Sequence, residues 1–331
     1  MKKISLTLLG GLIAAAALAT VTSASPRDVT LNLVAYSTPR EAYKTIIPAF
    51  QKTPAGKGVN FTQSYGPSGD QSRAVLNGLP ADVVEFSLAP DVTTLVNAGL
   101  VSKGWNRGPT KGMVTDSVAV FVVRDGNPKH IKNWNDLIKP GVQVLTPNPF
   151  TSGGAQWNIM AAYGAQRKDG KTDKAARDYV LKLFKNVVVQ DKSARDALQT
   201  FVSGKGDVLL TYENEAILAK KQGQPVQYVI PRNTILIENP VAIVSKTKNI
   251  AAAKAFVTYL RSPEAQELFG QTGYRPVLKS VAAKFKYPSR PGLFTIDAKF
   301  IGGWDKVESK WFDPKKGIMV DIERQVGGST G

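Results

Sequence analysis

Cysteine is absent from the chain. That excludes disulfides, a thiol nucleophile and thiolate metal sites, and it removes the cysteine that a lipid-anchored bacterial protein needs for acylation. Histidine is almost absent too. His130, in "GNPKHIKNW", is the only one. A Ser-His-Asp hydrolase would need that imidazole beside a nucleophile, whereas here it reads as an exposed turn residue. No His, Asp and Glu residues stand at metal-ligand spacing, and there is no paired-tyrosine signal for ferric iron. "SGKGD" (203–207) lacks the spacing of a phosphate loop, and "GPSGD" (66–70) is not a nucleophile elbow. No enzyme chemistry and no cofactor are expected. Beyond the N-terminus no run approaches ~20 apolar residues, so no membrane span is expected. Acids are scarce: 26 Asp and Glu stand against 43 Lys and Arg, for a net charge of +17. Such a balance favours anionic partners. The lysines are scattered, however, as in "LVNAGLVSKGW", where Lys103 is the only charge. No dense basic block interleaved with aromatics appears, so nucleic acid is not an expected partner.

What is present begins with a processing signal. Lys2 and Lys3 precede a small apolar run, Leu8 to Val21, and Thr22-Ser23-Ala24 fits a small-x-small cleavage site. This reads as a secretory signal peptide over residues 1–24, cleaved after Ala24 to release the protein into the periplasm. The remainder is long enough for two α/β domains, each with its own core. Strand-like and helix-like patterns alternate along it, which argues for mostly parallel sheets covered by helices. Strands are predicted at Val29–Tyr36, Val59–Tyr65, Ala81–Phe86, Ser117–Arg124, Val142–Thr146, Val187–Gln190, Asp207–Tyr212, Val226–Ile230 and Val241–Val244. Helices between them include Arg40–Gln51, Asp70–Asn77, Ala155–Gln166, Ala194–Val202 and Glu213–Gln222. Ser117–Arg124 and Val226–Ile235 are predicted to link two lobes. The first lobe would then be discontinuous, 25–115 plus 236–331, and the second would be 116–235. Ligands of open α/β sheets sit beyond the carboxyl ends of the strands.

Four strand-to-helix turns share one chemistry. "VAYSTPRE" supplies Ser37, "QSYGPSGDQ" Ser68, "PFTSGGAQ" Ser152, Gly153 and Gly154, and "VVQDKSARDAL" Ser193 and Ala194. A serine in such a place is an N-cap or, with the uncovered N–H groups of the helix start, part of an anion site. Four turns in one two-lobe chain favour convergence on an anion bound by neutral donors. Asp70 reads as a first-turn acid favoured by the helix dipole. Glu213 and Glu215, at a helix start, fall on nearly opposite sides and do not make an acid/base pair.

At this point the chain resembles the periplasmic sulfate-binding proteins of sulfate and thiosulfate ABC transporters, over nearly all of 25–331. The resemblance is carried by "TPREAY", "GPSGDQSRAVLNGLPADVV", "DGNPKHIKNWNDL", "TPNPFTSGGAQWNIMAAYGA", "GKGDVLLTYENEA", "GYRPV" and "LFTIDAKFIGGW". It implies a two-lobe, class II periplasmic-binding fold that closes on dehydrated sulfate and delivers it, as a monomer, to a membrane permease. It also implies contacts. Ser152 would give its hydroxyl, Gly153 and Gly154 their N–H groups, Ser68 its hydroxyl and N–H, and Ala194 its N–H. Ser37 stands where the family has an aspartate that donates its backbone N–H, and Tyr212 where the family often has a tryptophan. Ser-Gly-Gly, rather than the Ser-Gly-Asn of thiosulfate-type relatives, tilts the choice toward sulfate. The alternatives are thiosulfate, a molybdate-type oxyanion, or a secreted hydrolase using Ser68 or Ser152.

Overall fold

A computed structural model describes residues 28–329 of the chain; the signal peptide read from residues 1–24 lies outside them. Eleven strands occur among the described residues: β1 (Val29–Tyr36), β2 (Val59–Gly66), β3 (Val83–Glu85), β4 (Met113–Arg124), β5 (Val144–Leu145), β6 (Val187–Val189), β7 (Val208–Tyr212), β8 (Val226–Val229), β9 (Asn233–Ile243), β10 (Arg275–Pro276) and β11 (Gly292–Phe294). They join in the order β2-β1-β3-β9-β4-β7-β5-β6. Within this path β1, β2 and β3 are mutually parallel, as are β5, β6 and β7. The two parallel groups are linked by the antiparallel pair of β4 and β9. Two lobes therefore share one hydrogen-bonded path instead of owning two separate sheets. Each long strand serves both. β9 adds Val241–Ile243 to β3, and β4 adds Ala119–Val123 to β7.

β9 is longer than its sequence pattern. Glu238-Asn239-Pro240 separates two apolar runs and reads as a break, yet the strand continues through it. Pro240 has no N–H to donate, and it pairs with Met113 beside a register shift, where the ladder is already interrupted.

The helices cover the sheets for legible reasons. Ala194–Val202 buries Ala194, Ala197, Leu198 and Phe201, an i, i+3, i+4, i+7 stripe. Gly153–Lys168 is different: every residue from Gly153 to Gln166 except Gln156 is buried. It is a central helix, not an amphipathic cover. Basic Arg167 and Lys168 close it against the helix dipole. Full burial of Trp157 in its first turns contributes about 2–3 kcal/mol.

The C-terminal third divides between two cores. Helices Ile250–Leu260 and Pro263–Gln271 pack with the core around β1 and helix Arg40–Lys52. Residues from β11 onward go elsewhere: Phe294, Ile301, Trp311 and Met319 share a core with Trp157, Tyr163 and Tyr179 of the second lobe. An apolar stripe states that a segment is covered, not which of two sheets covers it.

Candidate functional site

The turns singled out in the sequence lie at the carboxyl ends of their strands, and most of them meet. Helix Gly153–Lys168 starts two residues earlier than its apolar pattern suggests, and helix Ser68–Leu76 also starts two residues earlier. Both glycines therefore lie in a first helical turn, where N–H groups have no carbonyl behind them. Neither has positive φ, so the reason for glycine is space. A Cβ on Gly153 would stand 2.6 Å from Ser87 Oγ and 2.7 Å from Leu88 Cγ. A Cβ on Gly154 would stand 2.9 Å from the Tyr212 ring, 3.2 Å from its hydroxyl and 3.3 Å from Ala194 Cβ. Ser87 and Leu88 follow β3, so the missing side chain of Gly153 lets that turn and the start of helix Gly153–Lys168 pack closely.

Ser87 was not among the residues expected at the site. It is 1% exposed, and every polar group it has is engaged. Its N–H donates to Ser68 Oγ at 2.9 Å, and its carbonyl accepts from Trp157 Nε1 at 2.9 Å and Asn239 Nδ2 at 3.1 Å. Its hydroxyl lies 2.6 Å from that of Tyr212. The signal for it was available: "EFSLAP" is a fifth strand-Ser-helix turn of the same kind as the other four.

Ser68 is placed at the cleft, but its hydroxyl is directed into the protein. It donates to Asp91 Oδ2 at 2.5 Å while accepting from Ser87. Desolvation lifts the Asp91 carboxyl to about 6, against the pull of the Ser68 hydroxyl and of Arg73. Asp91 is a second residue that the sequence reading missed. Ser193 caps its own helix, accepting from Asp196 N. Ser152, 3% exposed, makes no cap to the helix it precedes. Ser37 is half-buried between Tyr36, whose ring centroid is 6.2 Å from that of Tyr212, and Thr38, whose Oγ1 is 2.7 Å from Tyr274 Oη. Burial raises the Tyr212 phenol well above its ordinary range, so it keeps its proton at neutral pH.

Charges near the cleft are paired off. Arg195 binds Glu215 through Nε at 2.7 Å and Nη2 at 2.8 Å, and reaches across to Thr38 O at 3.0 Å. Arg275 binds Glu213 at 2.6 and 2.9 Å. The two glutamates therefore serve different arginines, as their opposite placement on the helix required. Asp70 pairs with Arg73. The lobes are also tied by Gly69 N donating to Thr151 O at 3.1 Å and Arg73 Nη2 to Phe150 O at 3.2 Å. His130 lies in a turn with φ of 52°, its N–H on Asn127 O. Among the described residues no group of three or more His, Cys, Asp and Glu is arranged to hold a metal, and no helix is long and apolar enough to cross a membrane.

The chain as a whole is similar to proteins already known. The chain is 41% identical over 315 residues to the sulfate-binding protein of Synechococcus elongatus, covering 92% of this chain and 89% of that one. It is 40% identical over 293 residues to the thiosulfate-binding protein of Pseudomonas aeruginosa, covering 84% and 88%. The solved structure of the sulfate-binding protein SubI from Mycobacterium tuberculosis H37Rv matches with a TM-score of 0.83 at 45% identity, covering 86% of this chain and all of that one. A family model for bacterial extracellular solute-binding proteins spans residues 31–275. The chain belongs to the bacterial extracellular solute-binding protein family, with the two-lobe fold of periplasmic binding proteins.

Proposed function

We propose that the cleft captures sulfate outside the cytoplasm and hands it to the membrane permease of an ABC transporter. The observation that carries this reading is the convergence of the Gly153-Gly154 and Ala194 helix starts with Tyr212, while Arg195 and Arg275 are already paired to glutamates. A site with neutral donors, where Arg195 and Arg275 are already ion-paired, suits an anion stripped of water and held by hydrogen bonds. The names of the similar proteins point the same way. In this reading Ser152 gives its hydroxyl, Gly153, Gly154, Ala194, Ser68 and Ser37 give N–H groups, and Tyr212 gives its phenol. The Ser68 hydroxyl, expected as a donor to the ligand, is instead directed to Asp91 and drops out of the set. The protein works as a monomer, without nucleic acid. The hinge lies where β4 and β9 cross, at 113–118 and 236–240, and the residues after β11 move with the second lobe.

A ligand bound only by the folded state adds RT ln(1 + [L]/Kd), about 2.7 kcal/mol at a hundredfold excess over Kd. Sulfate should therefore raise the melting temperature by a few degrees where chloride at equal ionic strength does not. Equal shifts from both salts would reject the assignment. Hydrogen phosphate carries a proton that a donor-only site leaves unpaired, so sulfate should bind at least ~10-fold more tightly near neutral pH. Thiosulfate is the second reading, favoured by the Pseudomonas relative; competition calorimetry between the two anions decides it.

A further inference from the structure

Where helix Gly153–Lys168 ends, far along it from the glycines, a cavity of about 270 Å³ opens in the second lobe. Tyr163 and Arg167 line it from that helix. Asp173 lines it from the next, and Lys299, Lys306 and Lys310 from the segment after β11. Asp173 is its only carboxylate, and it is heavily shared. It accepts from Tyr163 Oη at 2.7 Å, lies 3.0 Å from Arg177 Nη2 and 3.2 Å from Lys310 Nζ, and has Arg167 3.8 Å away. Arg167 Nε is buried without a partner. Lys299 and Lys306 stand in no ion pair among the described residues.

The plainest account is that these cations only close helix ends and face water. Compensation of the helix dipole covers Arg167 and Lys168. It does not cover three lysines delivered by a segment more than a hundred residues later in the chain. Lys306 is exposed. Its stem lies over Gly302, where φ is +101° and an added Cβ would stand 2.8 Å from Lys306 Cδ. The glycine thus leaves room for a lysine laid along the cavity wall. One side of the cavity is aromatic, with Trp311 and Tyr163 edge to face at 4.8 Å.

We propose that this cavity is a second anion site, separate from the cleft, for a compact multivalent oxyanion of the pyrophosphate class. The volume matches about nine waters at ~30 Å³ each, close to the nine non-hydrogen atoms of pyrophosphate and too small for most drug-sized ligands. Four lining cations against one shared carboxylate call for more than one negative charge. Filling the site would tie the segment after β11 to the helix whose opposite end forms the cleft. A free ion and a phosphomonoester lipid headgroup both offer a multiply charged phosphate, and the inference is independent of what the cleft binds.

The test is calorimetric titration of sulfate-loaded protein with pyrophosphate at ~0.15 M NaCl, where long-range attraction is screened. One saturable site is expected. Lys306→Gln with Lys310→Gln should weaken it about tenfold or more, while Lys246→Gln with Lys248→Gln, the same charge change at exposed lysines elsewhere, should leave it within about twofold. Should the first pair fail to fold, Lys299→Gln at the rim is the substitute, with about threefold weakening expected. Equal losses in both pairs, or no saturable binding up to ~10 mM, overturn the proposal. A parallel sedimentation with vesicles containing phosphatidic acid separates the sources. Capture on vesicles without binding of free pyrophosphate overturns the enclosed site in favour of a membrane contact.

Discussion

Ser152 and Ser193 hold the same place in two neighbouring turns. Each comes after a strand, has an extended backbone (φ −109°, ψ 118° and φ −137°, ψ 165°) and precedes a helix. Their hydroxyls do different things. That of Ser193 accepts from Asp196 N at 3.2 Å and donates to the Asp196 carboxylate at 2.8 Å. That of Ser152 makes no cap, and the residue three places on is Ala155, which has nothing to receive it. Ser68 is a third case, its hydroxyl held between Asp91 and Ser87. A serine before a helix is structural when the first turn, or a neighbour, uses its hydroxyl. It is open to a ligand when nothing does.

The strongest way to break this contrast is Gly153→Asp. The new Cβ presses on Ser87 and Leu88, and the variant adds a negative charge at the helix start proposed to hold the anion. Sulfate affinity should fall more than ~1000-fold while circular dichroism stays native. A folded variant that still binds would make this turn structural, like that of Ser193. Next come single hydrogen bonds to a desolvated anion, each about 1.5–3 kcal/mol. Ser152→Ala and Tyr212→Phe should each weaken sulfate ~10- to 150-fold, chiefly by faster release in stopped-flow measurements. Tyr212 has a rival partner in Ser87. Normal affinity in Tyr212→Phe together with weak binding in Tyr212→Ala would assign the ring to packing alone.

Ser193→Ala should do the reverse of Ser152→Ala. Loss of a cap costs about 1 kcal/mol, a drop of about 2–4 °C in melting temperature, with sulfate affinity within about threefold. The smallest effect concerns Ser68. The Asp91 carboxyl is raised in the fold, so its protonated form is favoured there. Its contribution to stability is present below the ordinary aspartate range and is lost as pH rises through about 6. Ser68→Ala removes a donor to the charged form, so this loss should extend to higher pH, whereas Asp91→Asn should abolish it. Melting temperatures from pH 4 to 8 for the three proteins check this. A Ser68→Ala curve that overlays the parent would mean that the hydroxyl does not hold the Asp91 charge.

Much of the fold was legible where local pattern and environment agree. β1 and helix Ala194–Val202 fall where alternation and the i, i+3, i+4, i+7 stripe put them. β9 was not, because Glu238, Asn239 and Pro240 break the apolar pattern at the crossing between lobes, where the strand changes partners. At the candidate site, the Ser-Gly-Gly turn stands out by residue type and spacing, whereas Tyr212 enters only through the family resemblance. Ser87 carries the same signal in the turn after β3, and Asp91 resembles any first-turn acid of a helix.

By itself the sequence determined which chemistry was possible. Cysteine is absent, which leaves thiol chemistry without a residue, and the single histidine, His130, stands in a turn. Runs of alternating strands and helices with small residues at their junctions left an anion cleft as the fitting use. Tertiary structure alone decided which donors remain for the ligand. Whether a hydroxyl caps its own helix, as in Ser193, binds a carboxylate twenty-three residues away, as in Ser68, or stays uncommitted, as in Ser152, depends on atoms that meet only after the lobes have packed. Hydrogen bonds act over about 3 Å, so a sequence names the candidates and the packed chain assigns their partners.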